Sequence, residues 1–226
     1  MELKNPLYKN FGIHVVSCIF TVEKGEVKVL LIKRNNKPFY GYWALPGGGL
    51  YNNETLMDGA KRELEEKTGI NNVNLSMYDI FDDINRSPLK RMIAVSFIGV
   101  IDNKKAKLFS ESNKISTIEW FNINEVPNLA YDYNKILNSA IEELKEKIQT
   151  TDILKSLFPG EFTLPELQSV YETILNVKID RRNFRKKMIS LNLIVDTNKS
   201  INYKGKKPAK LYIFNEKCNF KRKSIF

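Results

Sequence analysis

Two carboxylates and a lysine frame the chemistry open to this chain. In the segment Arg62-Glu63-Leu64-Glu65-Glu66-Lys67-Thr68-Gly69-Ile70, Glu63 and Glu66 are three positions apart, so on a helix they share a face. Carboxylates that converge in this way suit Mg²⁺, which takes oxygen ligands and keeps waters and substrate phosphates in its other positions. A metal so placed polarises a phosphoryl group and activates water. A third carboxylate is wanted at position 67, where the chain has lysine. Glu65 is no substitute, since it lies about 200° around the helix from Glu63. An ammonium at this position removes a ligand and swings the local charge by two units, each worth roughly 4 kcal/mol at about 4 Å and an effective dielectric near 20. Lys67 can also pair with Glu63 at i,i+4. The expectation is a weak Mg²⁺ site on Glu63 and Glu66, with Glu54 as a further weak ligand. It should bind a diphosphate better than it cuts one, and Glu63 and Glu66 are the residual catalytic candidates.

Several elements must position these residues. Asn53 is expected to cap a helix from about Glu54 to Thr68, stopped by Gly69. Before it, residues 13–22 (IHVVSCIFTV) and 27–32 (VKVLLI) read as a hairpin closed by E-K-G-E, followed by a turn-rich loop, RNNKPFYGYWALPGGG. Further strands are expected near 73–81, at 91–101 and at 117–121, and a short helix from Asn124 through Val126. Residues 132–149 form a long amphipathic helix with Ile136, Ala140, Leu144 and Ile148 on one stripe.

Charge divides the chain. Overall it carries 36 Lys+Arg against 26 Asp+Glu, net +10. Residues 151–226 hold 16 basic and 7 acidic side chains, net +9, which leaves 1–150 near balance with 20 and 19. This asymmetry marks two regions, 1–150 and 151–226, the second meeting a polyanion. Cys18 and Cys218 form neither a disulfide framework nor a metal-ligand spacing, and a reducing cytoplasm is expected. The N-terminus shows no basic-then-apolar leader, and no apolar run approaches the roughly 18 residues that would span a bilayer. His14, the one histidine, lies in an apolar run and reads as a satisfied or half-exposed strand residue, which excludes histidine-pair mechanisms and histidine-rich zinc sites.

The basic region has its own pattern. Thr163-Leu-Pro-Glu166 is a capping box with proline in the first turn, opening a helix with Leu167, Val170, Tyr171 and Ile174 on its apolar face. After a turn through Asn176, Asp180 can cap a second helix, RRNFRKKMISL. Its buried stripe would be Phe184, Met188 and Leu191, with Arg182 and Lys186 pointing away and Arg185 beside them. An apolar strand (LIVD), a basic loop (NYKGKKPAK) and a last strand (LYIF) complete the outline of a winged helix-turn-helix. The expected contacts to double-stranded DNA are Arg181, Arg182, Asn183, Arg185 and Lys186 on the helix, and Lys204, Lys206 and Lys207 on the wing. Basic side chains so placed serve phosphate positioning first. Arg182 or Asn183 could read bases.

With Gly48, Glu54 and residues 62–70 in register, the first region resembles the Nudix box, the loop-helix-loop signature of enzymes that hydrolyse nucleoside diphosphates linked to another group. The whole chain resembles the Nudix-related transcriptional regulators. Its segments YWALPGG (42–48), RELEEKTGI, DINRSPLKR (83–91), NLAYD, FTLPELQSVYE, IDRRNFRKK and GKKPAKLY carry that resemblance. It implies an α/β (α+β) Nudix fold, with a mixed sheet sandwiched by helices, followed by a smaller winged helix-turn-helix. It also implies a homodimeric repressor on a palindromic operator, sensing ADP-ribose or a related metabolite and controlling genes of NAD or sugar metabolism. By the same resemblance Arg34 and the Trp43 loop would border the diphosphate and adenine, Gly48 would belong to the ligand site, and Arg86 and Arg91 would clamp phosphates or a carboxylate. The alternative for Arg86 and Arg91 is a surface salt bridge with Asp82 or Asp83. The rival function is hydrolysis of ADP-ribose or another nucleoside diphosphate derivative with Mg²⁺. Tyr133, where histidine is expected, and GGGL at 47–50 depart from the family pattern.

Overall fold

The computed structural model describes residues 11–106, 108–109, 113–202 and 208–216. Its first sheet has seven strands: β1 (Gly12–Glu23), β2 (Glu26–Arg34), β3 (Trp43–Ala44), β4 (Gly47–Gly49), β5 (Ser76–Phe81), β6 (Met92–Val100) and β7 (Ile115–Asn122). The order β3-β2-β1-β6-β5 forms the main path, with β4 paired to β1 and β7 to β2. β1 runs parallel to β6 and every other pairing is antiparallel, which makes the sheet mixed.

β1 sits at the centre, and its unbroken apolar run follows from burial on both faces. Successive side chains point to opposite sides. Val15 and Ile19 pack toward helix α1 (Leu56–Thr68) with Ala60 and Leu64, while Val16, Cys18 and Phe20 pack in the cluster that holds helix α2 (Tyr133–Thr150). The α2 stripe expected from the sequence is buried: Ile136, Ala140, Leu144 and Ile148 all lie at or below 2 % exposure. Tyr78 of β5 fastens the helix to the sheet, its hydroxyl donating to the Ile136 carbonyl at 2.9 Å.

The second region contains β8 (Phe162–Thr163), α3 (Leu164–Leu175), α4 (Arg181–Ser190), β9 (Ile194–Ile201) and β10 (Ala209–Phe214), with the small sheet ordered β8-β10-β9. Both helix starts behave as expected. Thr163 and Glu166 close a capping box, and the Asp180 side chain accepts from Asn183 N at 2.9 Å. Phe184 and Met188 are fully buried and Leu191 partly so. The core is continuous between the regions: the apolar cluster against α2 runs on through Leu154, Phe162, Leu167, Tyr171 and Phe214.

Three expectations need correction. α1 starts at Leu56, two residues later than expected, because Thr55 and not Asn53 is its cap. Thr55 is extended (φ −78°, ψ 165°) and exchanges bonds with Asp58 in a capping box. Glu54 therefore precedes the helix. Residues Asn124–Val126 are not helical: the turn is at Ile123 and Asn124, the Asn122 side chain accepts from Asn124 N at 2.9 Å, and Pro127 disfavours helical backbone at Val126. The strand expected as LIVD continues to Ile201, and β3, β4 and β8 are short strands that periodicity did not register.

Candidate functional site: a caged acidic helix, a cationic cleft and an exposed basic helix

The acidic residues of α1 are held by one arginine. Arg62 donates through Nε to Glu54 Oε2 (2.8 Å) and through NH2 to Glu54 Oε1 (2.7 Å) and the Gly49 carbonyl (3.0 Å). Its NH1 reaches Glu63 Oε1 at 2.8 Å and lies 3.5 Å from Glu66 Oε2. The guanidinium also stacks on Tyr51, 3.8 Å from the ring centre. Glu54 further accepts from Tyr51 N at 2.7 Å, and Arg62 holds its carboxyl down at about 2. Burial pushes the Glu63 carboxyl up, but Lys67 and Arg62 together outweigh it and hold it below the usual carboxylate range.

Lys67 closes the other side. Its ammonium lies 2.8 Å from Glu63 Oε2 and also donates to the Gly47 carbonyl on β4. Gly48 lies against the same carboxylate: a Cβ there would come within 2.3 Å of the Glu63 carboxyl atoms, so a larger residue would have to push that carboxylate away from its cations.

Magnesium asks for near-octahedral oxygen ligation. Both oxygens of Glu63 face cations, Glu54 is engaged at both oxygens by Arg62, and Glu66 lies at the edge of the same guanidinium. Among the described residues no group of three His, Cys, Asp or Glu side chains is disposed to hold a metal ion. The donor set does not fit a divalent cation.

Beside this cage is a cleft of about 580 Å³, within the range of small-molecule sites, lined by His14, Gly49, Tyr51, Glu54, Lys90 and Tyr131 among others. Burial first, then Arg86, Lys67 and Arg34 against the opposing pull of Glu63, together lower the His14 pKa to about 4. The imidazole is neutral at pH 7, and cations dominate its surroundings. Tyr131 has a left-handed backbone (φ 56°) and sits among Phe39 (4.6 Å), Tyr133 (5.3 Å) and His14 (6.4 Å), with the Arg34 guanidinium 5.2 Å from its ring centre.

The remaining expected ligand residues have these positions. Arg34 donates Nε to the Pro38 carbonyl at 3.0 Å. Trp43 stacks edge-on against Phe121 (4.7 Å), with Lys33 Nζ 5.7 Å from its ring centre. Arg86 is buried and donates through Nε and NH2 to the two carboxylate oxygens of Asp132 at the N-terminus of α2 (3.0 and 2.8 Å), so its side-chain partner is neither Asp82 nor Asp83. Arg91 donates to the backbone carbonyls of Asp82 and Asp83, which shapes the loop without pairing either carboxylate. Sequence reasoning missed Arg62 as the hub, and it missed Tyr131 and Asp132. Arg62 was visible as the first residue of the box. The Arg86–Asp132 pair spans 46 positions, which no local pattern encodes.

On α4, Arg181, Arg182, Asn183, Arg185 and Lys186 are all exposed, as a DNA-facing surface requires, and none of these cations is in an ion pair among the described residues. The wing residues Lys204, Lys206 and Lys207 lie outside the described residues.

A mixed sheet between helices, with a glycine strand against an acidic helix and a basic winged helix behind it, defines the class: a sensor-like α/β domain joined to a DNA-binding one. Residues 13–144 match the NUDIX domain model and residues 154–214 the NrtR DNA-binding winged helix domain model. The chain belongs to the Nudix family, in the branch whose Nudix domain is followed by an NrtR-type winged helix. It is 36% identical over 200 residues to the ADPR responsive transcriptional repressor NtrR of Acinetobacter baylyi, covering 87% of this chain and 79% of that one. It is 31% identical over 125 residues to the ADP-ribose pyrophosphatase of Methanocaldococcus jannaschii, covering 55% and 72%. It is also similar to Shewanella oneidensis NrtR. The complex of that protein with a 27mer DNA superposes with TM-score 0.77 at 27% identity, covering 90% of this chain and 93% of that one. Its NUDIX domain complexed with ADP ribose superposes with TM-score 0.57 at 25% identity, covering 63% and 94%.

Proposed function

We propose that this chain is a transcriptional repressor that binds a palindromic operator as a homodimer, with ADP-ribose or a related nucleoside diphosphate as effector and NAD or sugar metabolism genes as targets. The observation that carries the reading is the contrast in charge. Glu63 and Glu66 of α1, with Glu54 ahead of it, are met by Arg62 and Lys67, whereas four basic side chains of α4 face solvent from a helix with a buried Phe184–Met188 spine. Two α4 helices in a dimer would enter successive major grooves about 34–36 Å apart. A DNA partner supports a cytoplasmic location; no helix among the described residues is long and apolar enough to cross a membrane. The effector would enter the cleft at His14 and Tyr131 and compete for Arg86, whose partner Asp132 stands at the start of α2. A small slide of α2 would then pass through the shared core to α3 and change the half-site spacing. Effector affinity must differ between the two arrangements, since otherwise nothing moves.

The test is a gel-retardation series on the DNA upstream of the chain's own gene, at several salt concentrations, with and without ADP-ribose. Retardation that weakens steeply with salt and responds to ADP-ribose is expected. A flat salt response, or no retarded fragment, would sink the regulator reading. The second reading is a weak ADP-ribose pyrophosphatase, favoured by Glu54, Glu63 and Glu66 standing together on one side of α1. Robust Mg²⁺- or Mn²⁺-dependent phosphate-ester release by the wild-type chain, lost in both Glu63→Gln and Glu66→Gln, would establish it.

A further inference from the structure

We infer that Ile189 is a base-reading residue: its side chain meets the 5-methyl group of a thymine in the major groove, between the cations of α4 that hold the phosphates. The inference rests on the DNA-binding reading above and adds to it a specificity-determining position that carries no charge.

α4 contains three apolar residues, and only one of them is exposed. Phe184 and Met188 are fully buried, whereas Ile189 keeps 49% of its surface in solvent. Single exposed apolar side chains are ordinary on protein surfaces, so exposure alone decides nothing. The distinguishing observation is where this one stands. At about 100° per residue, Ile189 lies about 20° from Arg182, about 40° from Arg185 and about 60° from Lys186, but about 140° from Phe184. It therefore sits in the middle of the outward cationic stripe, whose members are all exposed. A β-branched residue is also a poorer helix former than the lysines and arginines around it, so the stability of α4 gains nothing from isoleucine there.

The flank of the helix separates backbone contacts from base contacts. Arg181 and Arg185 line a notch of about 250 Å³ together with Gln168 of α3 and Lys210 and Tyr212 of β10. A notch lined by three cations suits a backbone phosphate, and contacts of that kind fix register without carrying sequence information. Arg182 and Ile189 are not part of its lining and stand on the face beside it. In the major groove the base edges present donors, acceptors and a single kind of apolar group, the thymine methyl. An isoleucine seated there buries its exposed surface against that methyl. Against a G·C pair it would cover polar edges without bonding to them, which costs free energy and so discriminates. Seven residues of helix separate Ile189 from Arg182, a rise of roughly 10 Å, or about three base-pair steps. The two side chains thus read different base pairs of one half-site.

The experiment uses the full chain and the DNA fragment upstream of its own gene, synthesised once with thymidine and once with deoxyuridine, which lacks only the methyl. Wild type, Ile189→Ala and Ile189→Lys are compared by gel retardation at several salt concentrations, with circular dichroism as the check on folding. Wild type should bind the deoxyuridine fragment about tenfold more weakly, a few-fold for each half-site. Ile189→Ala should lose about tenfold on the thymidine fragment and bind the two fragments within about twofold of each other. It should keep the salt slope of wild type, since an apolar contact releases no counterion. Ile189→Lys should steepen that slope and equally fail to tell the fragments apart. Because every protein meets the same pair of DNAs, any change in duplex shape from the missing methyls cancels in the comparison. Equal wild-type affinity for the two fragments, or Ile189→Ala discriminating between them as wild type does, would each overturn the inference while leaving DNA binding in place. If wild type retards neither fragment at any salt, the DNA-binding reading falls and this assignment falls with it.

Discussion

Helix α1 neutralises its own charges, whereas α4 leaves its charges to solvent. On α1 the carboxylates of Glu63 and Glu66, with Glu54 just ahead of the helix, are met by Arg62 and Lys67 from the same helix. On α4, Arg181, Arg182, Arg185 and Lys186 are exposed and without an ion-pair partner among the described residues. Both helices are anchored in the same way, by a polar cap and a buried stripe, so the difference lies entirely in the outward face. A helix that satisfies itself can form a rigid wall of a binding site. One that does not satisfy itself gains most from an anionic partner, because bound DNA releases its counterions on meeting those cations.

The comparison breaks or holds on four measurements. The largest effect is expected for Arg182→Ala with Lys186→Ala, which should weaken operator binding by about 100-fold or more and lower the salt slope by roughly two, while circular dichroism stays unchanged. Survival of binding would mean that α4 is not the DNA-facing helix. Next is Arg86→Ala, which leaves Asp132 uncompensated at the start of α2. A loss of about 3 kcal/mol in urea unfolding is expected. Part of it should return in the double variant with Asp132→Asn, and a loss below about 1 kcal/mol would show that the pair is not structural.

The third measurement concerns His14, the one histidine of the chain, whose ring proton is therefore unambiguous in NMR. Its pKa is lowered from 6.5 to about 4, chiefly by burial. Above pH 6.5 the ring is neutral in both folded and unfolded chains and the contribution to stability is complete. As pH falls from 6.5 to about 4 the unfolded chain takes the proton first, and roughly 3 kcal/mol is lost. A titration midpoint near 6.5 in the folded chain would contradict the cationic, buried setting described for the cleft. The smallest effect is shared by both helices: Thr55→Ala and Asp180→Ala should each cost about 1 kcal/mol. Equal costs would support the view that the two helices are anchored alike.

Much of this molecule could be read from local pattern. The period of residues 132–149 placed α2, Thr163–Glu166 and Asp180 gave the starts of α3 and α4, and the stripe of Phe184 and Met188 fixed which face of α4 is outside. The pairing of Lys67 with Glu63 was also local, being one helical turn apart. What stayed hidden depends on contacts between distant segments. Arg86 meets Asp132 only after the sheet has folded, and the Gly47 carbonyl reaches Lys67 only because β4 pairs with β1 beside α1. The missed cap has a different cause: Asn53 and Thr55 are both competent, and the return bond from Asp58 decides between them.

The unbroken apolar seam from Ile136 to Phe214 bears on how this protein lives and ages in a cell. A two-part chain usually offers proteases a slack stretch between its parts, and either half can outlast the other. Here the residues after α2 are themselves part of the packing, with Leu154 at 2% exposure. Damage to either half would therefore expose the other, and sensor and DNA reader would be cleared together, so that neither outlives its partner as a fragment locked on or off.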